Sequence, residues 1–311
     1  MASMTVAPEI SRHSWSLALL PSDTPLALLD ADGQAVPGGE LDMPADGVLL
    51  ELHRRMVLGR RFDTQATALT KQGRLAVYPS ARGQEAAEIG AVLALRAQDW
   101  LFPTYRDSMA MVSRGLDPAE VLTLLRGDWH CGYDPHEHRV APQCTPLATS
   151  APHAVGVAHA ARLKNEDAVA LAMLGDGATS EGDTHVALNF AAVWKAPVVF
   201  FVQNNGYAIS VPLAKQTAAP SLAHKGIGYG IPAMLVDGND AAAVYAGAAR
   251  GDLRRDRRRP GADRGAHLPG RAAYERRRRD ALPHRGGGGA LGRPGSADPD
   301  PPLPDRPRAA R

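Results

Sequence analysis

The stretch LGDGATSEGDTHVALNFAAVWKAPVVFFVQNNGYAIS, residues 174–210, decides the fold predicted for this chain. An apolar run, AVALAML (168–174), leads into it and ends before Gly175, and a second apolar run, PVVFFVQ (197–203), lies inside it. Both runs are typical of short strands that are buried on both faces, and the segment between them, EGDTHVALNFAAVWKA, is typical of a helix. The order strand, helix, strand predicts an α/β fold with a parallel sheet flanked by helices.

Other segments extend this prediction in both directions. A long helix is expected to start at Asp46 as its N-cap and to be closed by Gly73, because apolar residues recur near helical spacing between them. Three shorter helices are predicted, one starting near Gln84, one over 118–127 and one over 153–164. One more strand is predicted over AMLVDG (233–238).

Charge divides the chain into two unlike parts at residue 250. Residues 1–249 carry 18 Lys+Arg against 25 Asp+Glu, whereas residues 250–311 carry 17 Arg against 8 Asp+Glu. The second part has no Ile, Val, Phe, Met or Trp, so it lacks the apolar surface that offsets the entropy cost of ordering. We therefore predict a loosely ordered leader over residues 1–44, an α/β domain over residues 45–249, and a disordered tail over residues 250–311.

Cysteine content and apolar runs predict a soluble cytoplasmic protein. The chain has two cysteines, Cys131 and Cys144, which favours a reducing compartment over a disulfide framework. Its start lacks the basic and apolar regions of a signal peptide, and its longest apolar runs are too short to span a bilayer.

Polar residues follow the two predicted strands at matching positions. Gly175, Asp176 and Gly177 come after the first strand, and Asn204, Asn205 and Gly206 come after the second. Ligands of parallel sheets bind at the carboxyl ends of the strands, where glycines permit close approach and a helix N-terminus favours a phosphate. Carboxylate and amide oxygens are the ligands that Mg²⁺ prefers, so these turns predict a site for magnesium and a diphosphate.

The same residues carry a resemblance to a known family. GDG followed by NN at this distance resembles the thiamine-diphosphate motif, and GDGATSEGD, LNFAAVWKAP and NNGYAIS resemble the alpha subunit of the branched-chain 2-oxo acid and pyruvate dehydrogenase complexes. The resemblance runs from about residue 47 to 245. It implies a thiamine-diphosphate-binding fold and a decarboxylating enzyme component that passes an acyl group to lipoyl domains.

Site residues follow from the resemblance at matching positions. It implies that Asp176, Asn205 and the main-chain carbonyl of Tyr207 bind Mg²⁺. The remaining cofactor contacts that it implies are the Tyr-Arg pair of FPTYRD, two residues of CTPLATS and the residues of the first turn: Tyr105, Arg106, Thr145, Leu147, Gly175, Gly177 and Ala178.

Three positions depart from the pattern of branched-chain members. In those members the CTPLATS loop wraps a potassium ion, which would lie among Cys144, Pro146, Thr149 and Ser150, but Cys144 and Ser150 replace the expected residues. Gln203 stands where those members carry an arginine, which leaves Arg106 with more of the diphosphate charge.

Partners and chemistry are also implied by the resemblance. The family works as an α₂β₂ heterotetramer beside a lipoyl-bearing acyltransferase, and the beta subunit supplies the glutamate that activates the cofactor. The alpha subunit supplies a histidine from a loop after its last strand. The substrate is pyruvate or a branched-chain 2-oxo acid, and the chain does not distinguish the two.

Two other functions are open to the same sequence. Cysteine and histidine residues between 130 and 144 lie close enough to suggest zinc, but no pair has the usual ligand spacing, and a polar loop is favoured. The arginine-rich tail suggests a nucleic-acid-binding arm, but it contains no lysine and a single aromatic residue, Tyr274.

A change of reading frame accounts for the tail better than a nucleic-acid function does. Arg, Gly, Ala and Pro are the residues that GC-rich codons give in any frame. Read one nucleotide later, AYERRRRDALPHR (273–285) and its neighbours can encode PHTNADDATRYR, which is close to the histidine loop of the family. We therefore hypothesise a one-nucleotide frameshift near residues 246–262, so that no catalytic histidine is present in this frame, and we expect little or no overall activity of the chain as written.

Overall fold

The computed structural model describes residues 19–37, 39–252 and 271–276, with the main chain alone for residues 251–252 and 271–276. These residues belong to the compact unit Met1–Arg277, and a second unit, Arg278–Arg311, lies outside the described part.

The described residues form nine α-helices and seven strands. The helices are α1 Asp46–Lys71, α2 Glu85–Leu93, α3 Ser108–Ser113, α4 Pro118–Val121, α5 Thr123–Arg126, α6 Pro135–His138, α7 Ser150–Leu163, α8 Gly182–Trp194 and α9 Ala241–Asp252. The strands are β1 Trp100–Phe102, β2 Ala170–Gly175, β3 Val198–Asn204, β4 Tyr207–Ala208, β5 Val211–Pro212, β6 Ala233–Asp237 and β7 Arg271–Arg276. Short 3₁₀ segments cover Gly177–Ser180, Leu213–Lys215 and Leu222–Tyr229.

Five of the strands form a parallel sheet in the order β1-β2-β3-β7-β6. The predicted parallel sheet flanked by helices is therefore confirmed. The two strands predicted around residues 168–203 are β2 and β3, and they are direct neighbours joined by helix α8. Strands β4 and β5 form a separate antiparallel hairpin.

Alternating side chains of the sheet enter two apolar cores. In β2, Leu171 and Met173 pack on the face that contacts α2, α3 and α9, whereas Ala170 and Ala172 pack on the face covered by α7 and α8. All seven residues of β3 are buried. A sheet covered on both faces requires apolar side chains on both, which is why these strands read as continuous apolar runs and not as alternating ones.

The predicted helix boundaries are right in outline and wrong in detail. Helix α1 begins at Asp46, but the N-cap is Ala45 and no side chain caps it, so the prediction of Asp46 as N-cap is wrong. The helix predicted over 118–127 is divided into α4 and α5, which meet at Leu122. Asp117 caps α4 through Ala119 N–H.

The two ends of the predicted domain also differ from expectation. In the leader, Leu28 and Leu41 are buried in the core and Leu26 pairs with Val236 at the edge of β6, so this segment is packed where it is described. Helix α9 continues to Asp252, and Arg271–Arg276 form β7, so both elements enter residues 250–311. Parallel pairing uses main-chain groups, which every residue except proline supplies in full, so a charged segment can still pair. The rest of the predicted tail lies outside the described residues.

Within the described residues, no helix has the length and apolar character needed to cross a membrane.

Candidate functional site

The two glycine-rich turns leave the sheet side by side. Gly175 at the end of β2 is paired in register with Gln203 near the end of β3, so Asp176 and Asn204 emerge at the same edge of the sheet. The carboxyl ends of neighbouring parallel strands are the usual place for a ligand in an α/β fold. The structure thus brings together the two turns that the sequence placed at matching strand ends.

The second turn continues into the β4–β5 hairpin, which folds back onto the first turn. Gly206 has a φ of +84°, in the region that favours glycine, and the Asn205 Oδ1 accepts a hydrogen bond from the Tyr207 N–H at 3.1 Å. A Cβ on Gly177 would lie 2.7 Å from the Cβ of Ala208. The hairpin therefore contacts the first turn so closely that only glycine fits at position 177.

Asp176 places a buried carboxylate in the first turn. It is 2% exposed, and its Oδ2 accepts a hydrogen bond of 2.7 Å from the Gln216 Nε2. Burial raises the pKa of the Asp176 carboxyl above its usual range, and the hydrogen bond from Gln216 opposes that rise. A buried carboxylate with a single uncharged side-chain donor has a charge to neutralise, which is the condition under which a protein holds a cation.

Arg106 lies on the loop between β1 and α3. Its Nη1 donates to the main-chain carbonyl of Ser80 at 2.8 Å, and its guanidinium lies 5.6 Å from the centre of the Tyr105 ring. The guanidinium has five N–H donors, so this one contact leaves capacity for an anion. The structure anchors the predicted Tyr-Arg pair to the loop that carries Ser80.

The CTPLATS segment lies next to this loop and to β2. Cys144 pairs with Thr104, and the Ser150 Oγ donates to the main-chain carbonyl of Met173 at 3.4 Å. Leu147 is 44% exposed between these anchors, so an apolar side chain is held open to solvent near the site. Thr145 lies on the same loop. The Cys144 Sγ donates to the Pro146 carbonyl at 3.6 Å, so two of the residues expected around potassium contact each other.

Ala178 is more deeply buried than expected for a residue that lines a cofactor. It is 2% exposed in the 3₁₀ segment after Asp176, and its carbonyl accepts a hydrogen bond from the Thr184 Oγ1 at 2.6 Å. This bond joins the first turn to the first residues of α8. The turn is thus fixed from both sides, by α8 and by the hairpin.

Two polar residues of the site were not identified from the sequence. Asp107 is fully buried, and its carboxylate accepts hydrogen bonds from the Thr104 N–H at 2.6 Å and the Gln203 Nε2 at 2.5 Å. Burial raises the pKa of Asp107. The second missed residue is Gln216, which lies after the hairpin. Neither has a sequence signal by itself, because each acts through a partner that is distant along the chain.

The hydrogen bond with Asp107 directs the Gln203 side chain towards the loop between β1 and α3, which carries Arg106. The Gln203 Nε2 donates to Asp107, and within the described residues its buried Oε1 has no hydrogen-bond partner. The side chain at the position where an arginine was expected therefore fixes the loop that carries Arg106.

The donors present fit the hard cation that the motif implies. The first turn supplies a buried carboxylate, and the second supplies an amide oxygen and a main-chain carbonyl. All of these are oxygen atoms, which suit Mg²⁺ and not zinc. Among the described residues, no group of three or more His, Cys, Asp or Glu side chains is placed to bind a metal.

Comparison with known proteins identifies the class. Residues 53–260 match the family described as "Dehydrogenase E1 component". The match covers more than half of the chain, so the chain belongs to the dehydrogenase E1 component family.

Two relatives are similar over most of the described domain. The chain is 50% identical over 226 residues to the 3-methyl-2-oxobutanoate dehydrogenase subunit alpha of Mycobacterium tuberculosis, which covers 71% of this chain and 61% of that one. It is 40% identical over 219 residues to the pyruvate dehydrogenase E1 component subunit alpha of Staphylococcus aureus, which covers 70% and 59%. The chain thus spans about three fifths of the length of these relatives.

A solved structure is also similar. It is described as a thiamin diphosphate-dependent enzyme isolated from Mycobacterium smegmatis, with 19% identity, a TM-score of 0.38, and coverage of 65% of this chain and 32% of that one. So low a score adds nothing to the fold described above.

Proposed function

We propose that this chain is the alpha subunit of a 2-oxo acid dehydrogenase component that binds Mg²⁺ and thiamine diphosphate. The reaction is oxidative decarboxylation of pyruvate or a branched-chain 2-oxo acid, with acyl transfer to a lipoyl domain. One observation carries the proposal: the buried carboxylate of Asp176 lies at the sheet edge where the two turns of the motif leave β2 and β3. Membership of the family supports it.

The residues of the chain have separate tasks in this proposal. Asp176, the Asn205 amide oxygen and the Tyr207 carbonyl would hold Mg²⁺, while Gly175, Gly177 and Ala178 would line the diphosphate. Arg106 would offer its guanidinium to a diphosphate oxygen, and the ring of Tyr105 contacts that guanidinium. Thr145 and Leu147 border the cofactor from the neighbouring loop. When bound, the cofactor supplies the carbanion chemistry of decarboxylation.

A beta subunit is the proposed partner, in an α₂β₂ heterotetramer beside a lipoyl-bearing acyltransferase. Helix α8 exposes Val186, Phe190 and Val193 at spacings of four and three residues, which places them on one face of the helix, and Leu163 is exposed at the end of α7, which packs on α8. Exposed apolar side chains in a cluster are typical of a surface that is covered in an assembly. We propose that the beta subunit covers this surface.

We also propose that the reading frame changes near residues 246–262. The family match ends at residue 260, inside that interval. Strand β7 lies in the middle of a sheet covered on both faces, yet its sequence, RAAYER, contains three charged residues in six. Central parallel strands are apolar, so this composition supports an out-of-frame origin. The histidine loop of the family is then absent from the chain as written.

Coexpression with a beta subunit tests the proposed function. We expect the purified complex to bind thiamine diphosphate in a Mg²⁺-dependent manner, measured by calorimetry, and the affinity to fall sharply for Asp176→Ala. Unchanged affinity in Asp176→Ala would remove the motif assignment. Decarboxylation of pyruvate and of branched-chain 2-oxo acids, with and without the cofactor, then distinguishes the substrates, once the alternative frame has been restored.

A further inference from the structure

Gln216 joins the two segments that carry the proposed magnesium ligands. Its Nε2 donates to the Asp176 Oδ2 at 2.7 Å and to the main-chain carbonyl of Val211 at 3.0 Å. Asp176 follows β2, whereas Val211 is in β5, which pairs with the strand that begins at Tyr207. One amide group therefore connects the first turn to the hairpin.

The orientation of this amide is fixed by its partners. A carboxylate and a carbonyl are both acceptors, so only the NH₂ group can face them, and the Oε1 must point away. The Oε1 is buried, and no donor within the described residues satisfies it. An unsatisfied buried acceptor costs about 1–3 kcal/mol, which indicates that the side chain is held there for its donor contacts.

The main chain near Gln216 is also hydrogen-bonded to the hairpin. The Leu213 N–H donates to the Gly206 carbonyl at 2.9 Å, and the Gln216 N–H donates to the Leu213 carbonyl at 2.9 Å. Gln216 and Tyr207 thus belong to one closed loop, and the side chain of Gln216 returns from the end of that loop to Asp176. A displacement of the hairpin would move Gln216 and the Tyr207 carbonyl together.

We infer that Gln216 is a positioning residue for the divalent cation. By donating to the Oδ2 of Asp176, it orients the carboxylate and sets its distance from the loop that carries the Tyr207 carbonyl. It touches neither substrate nor cofactor in this role and acts through Asp176. The inference rests on the proposed function, because it requires Asp176 to be a cation ligand.

Cation binding by the full chain, copurified with a beta subunit, tests this role. Gln216→Met keeps the length of the side chain and removes the donor, and Gln72→Met, at an exposed glutamine after α1, is the matched control. With thiamine diphosphate present, we measure Mn²⁺ binding by electron paramagnetic resonance. Loss of a residue that orients a metal ligand typically costs 10–100-fold in affinity, so we expect the half-saturating Mn²⁺ concentration to rise about tenfold or more in Gln216→Met. Gln72→Met should match the wild type.

Two further measurements distinguish a positioning role of Gln216 from a purely structural role. Excess Mg²⁺ should restore thiamine diphosphate affinity in Gln216→Met to the wild-type value but not in Asp176→Ala. A structural role would lower the thermal unfolding midpoint and leave the half-saturating Mn²⁺ concentration unchanged at low temperature. Gln216→Asn keeps the amide on a shorter side chain and should give a smaller rise.

The outcomes distinguish the inference from the proposed function. A half-saturating Mn²⁺ concentration within twofold of the wild type in both Gln216 variants, together with loss of binding in Asp176→Ala, would overturn the inference alone. Wild-type Mn²⁺ binding in Asp176→Ala would overturn the proposed metal site itself.

Discussion

At the scale of single residues, two glycines on either side of Asp176 have opposite tolerance for a side chain. A Cβ on Gly177 would meet the Cβ of Ala208 at 2.7 Å, whereas nothing lies within 4 Å of a Cβ on Gly175. We expect Gly177→Ala to lower the free energy of unfolding by about 1–3 kcal/mol, because the hairpin must move away. Gly175→Ala should leave it equal or slightly higher, since alanine restricts the unfolded chain. Urea unfolding of the two variants compares them, and equal losses would contradict the close contact.

Asp107 gives a prediction for the pH dependence of stability. Burial raises the pKa of Asp107 in the folded protein above its value in the unfolded chain, so the folded state binds more protons between the two pKa values. The ionised carboxylate therefore costs stability at neutral pH, and the cost disappears as the pH falls through the folded pKa. We expect the free energy of unfolding of the wild type, relative to Asp107→Asn, to rise as the pH is lowered from neutral through the folded pKa towards the ordinary pKa of an aspartate. Urea unfolding over a pH series measures this difference, and a flat or opposite trend would be against the prediction.

At the scale of elements, one carboxylate attaches the N-terminal segment to α9. Asp240 is buried, and it accepts hydrogen bonds from the Leu28 N–H at 2.6 Å, the Leu29 N–H at 2.7 Å and the Ala243 N–H at 3.0 Å. Asp240→Ala would leave buried donors without an acceptor, so we expect a loss of about 3 kcal/mol. Amide hydrogen exchange at Leu28 should become faster at the same time.

A matched control for Asp240 lies at the start of α1. Asp46 is also an acidic residue at a helix N-terminus, but it is exposed and makes no capping hydrogen bond. Asp46→Ala should therefore change the free energy of unfolding by less than about 0.5 kcal/mol. A similar loss in both variants would mean that the helix dipole, and not the buried contacts of Asp240, accounts for the effect.

Local patterns predicted the central elements and failed where distant contacts decide. The apolar runs gave β2 and β3 because strands buried on both faces have a strong composition, and the turns after them gave Asp176 and Asn205. The partners of these residues were not predictable, since the contact of Gln216 with Asp176 spans 40 positions and that of Gln203 with Asp107 spans 96. Neither contact leaves a period or a spacing in the sequence. The packing of Leu28 was missed for the same reason, because its anchor is Asp240.

At the scale of the whole molecule, the proposed frame change has a direct test. If the nucleotide sequence near residues 246–262 is restored to the alternative frame, the codons of RAAYER should encode the start of the histidine loop of the family, so this charged segment should no longer lie between β3 and β6. We expect the restored protein to have a higher thermal unfolding midpoint and, with a beta subunit, to gain 2-oxo acid decarboxylation. Resequencing of the gene is the first measurement. An intact frame with good read support, and no family sequence downstream in the other frame, would refute the frame change.

The position of β7 also bears on how the chain can fold during synthesis. Among the described strands of the sheet, β7 is the last to leave the ribosome, and it is inserted between β3 and β6, which are made earlier. Until it arrives, the nascent chain has two open strand edges facing one another across a gap, and such edges pair readily with other chains. The interval between the synthesis of β6 and that of β7 is thus the period when these edges are open to other chains. Any change in the sequence after α9 acts on that interval before it acts on the folded protein.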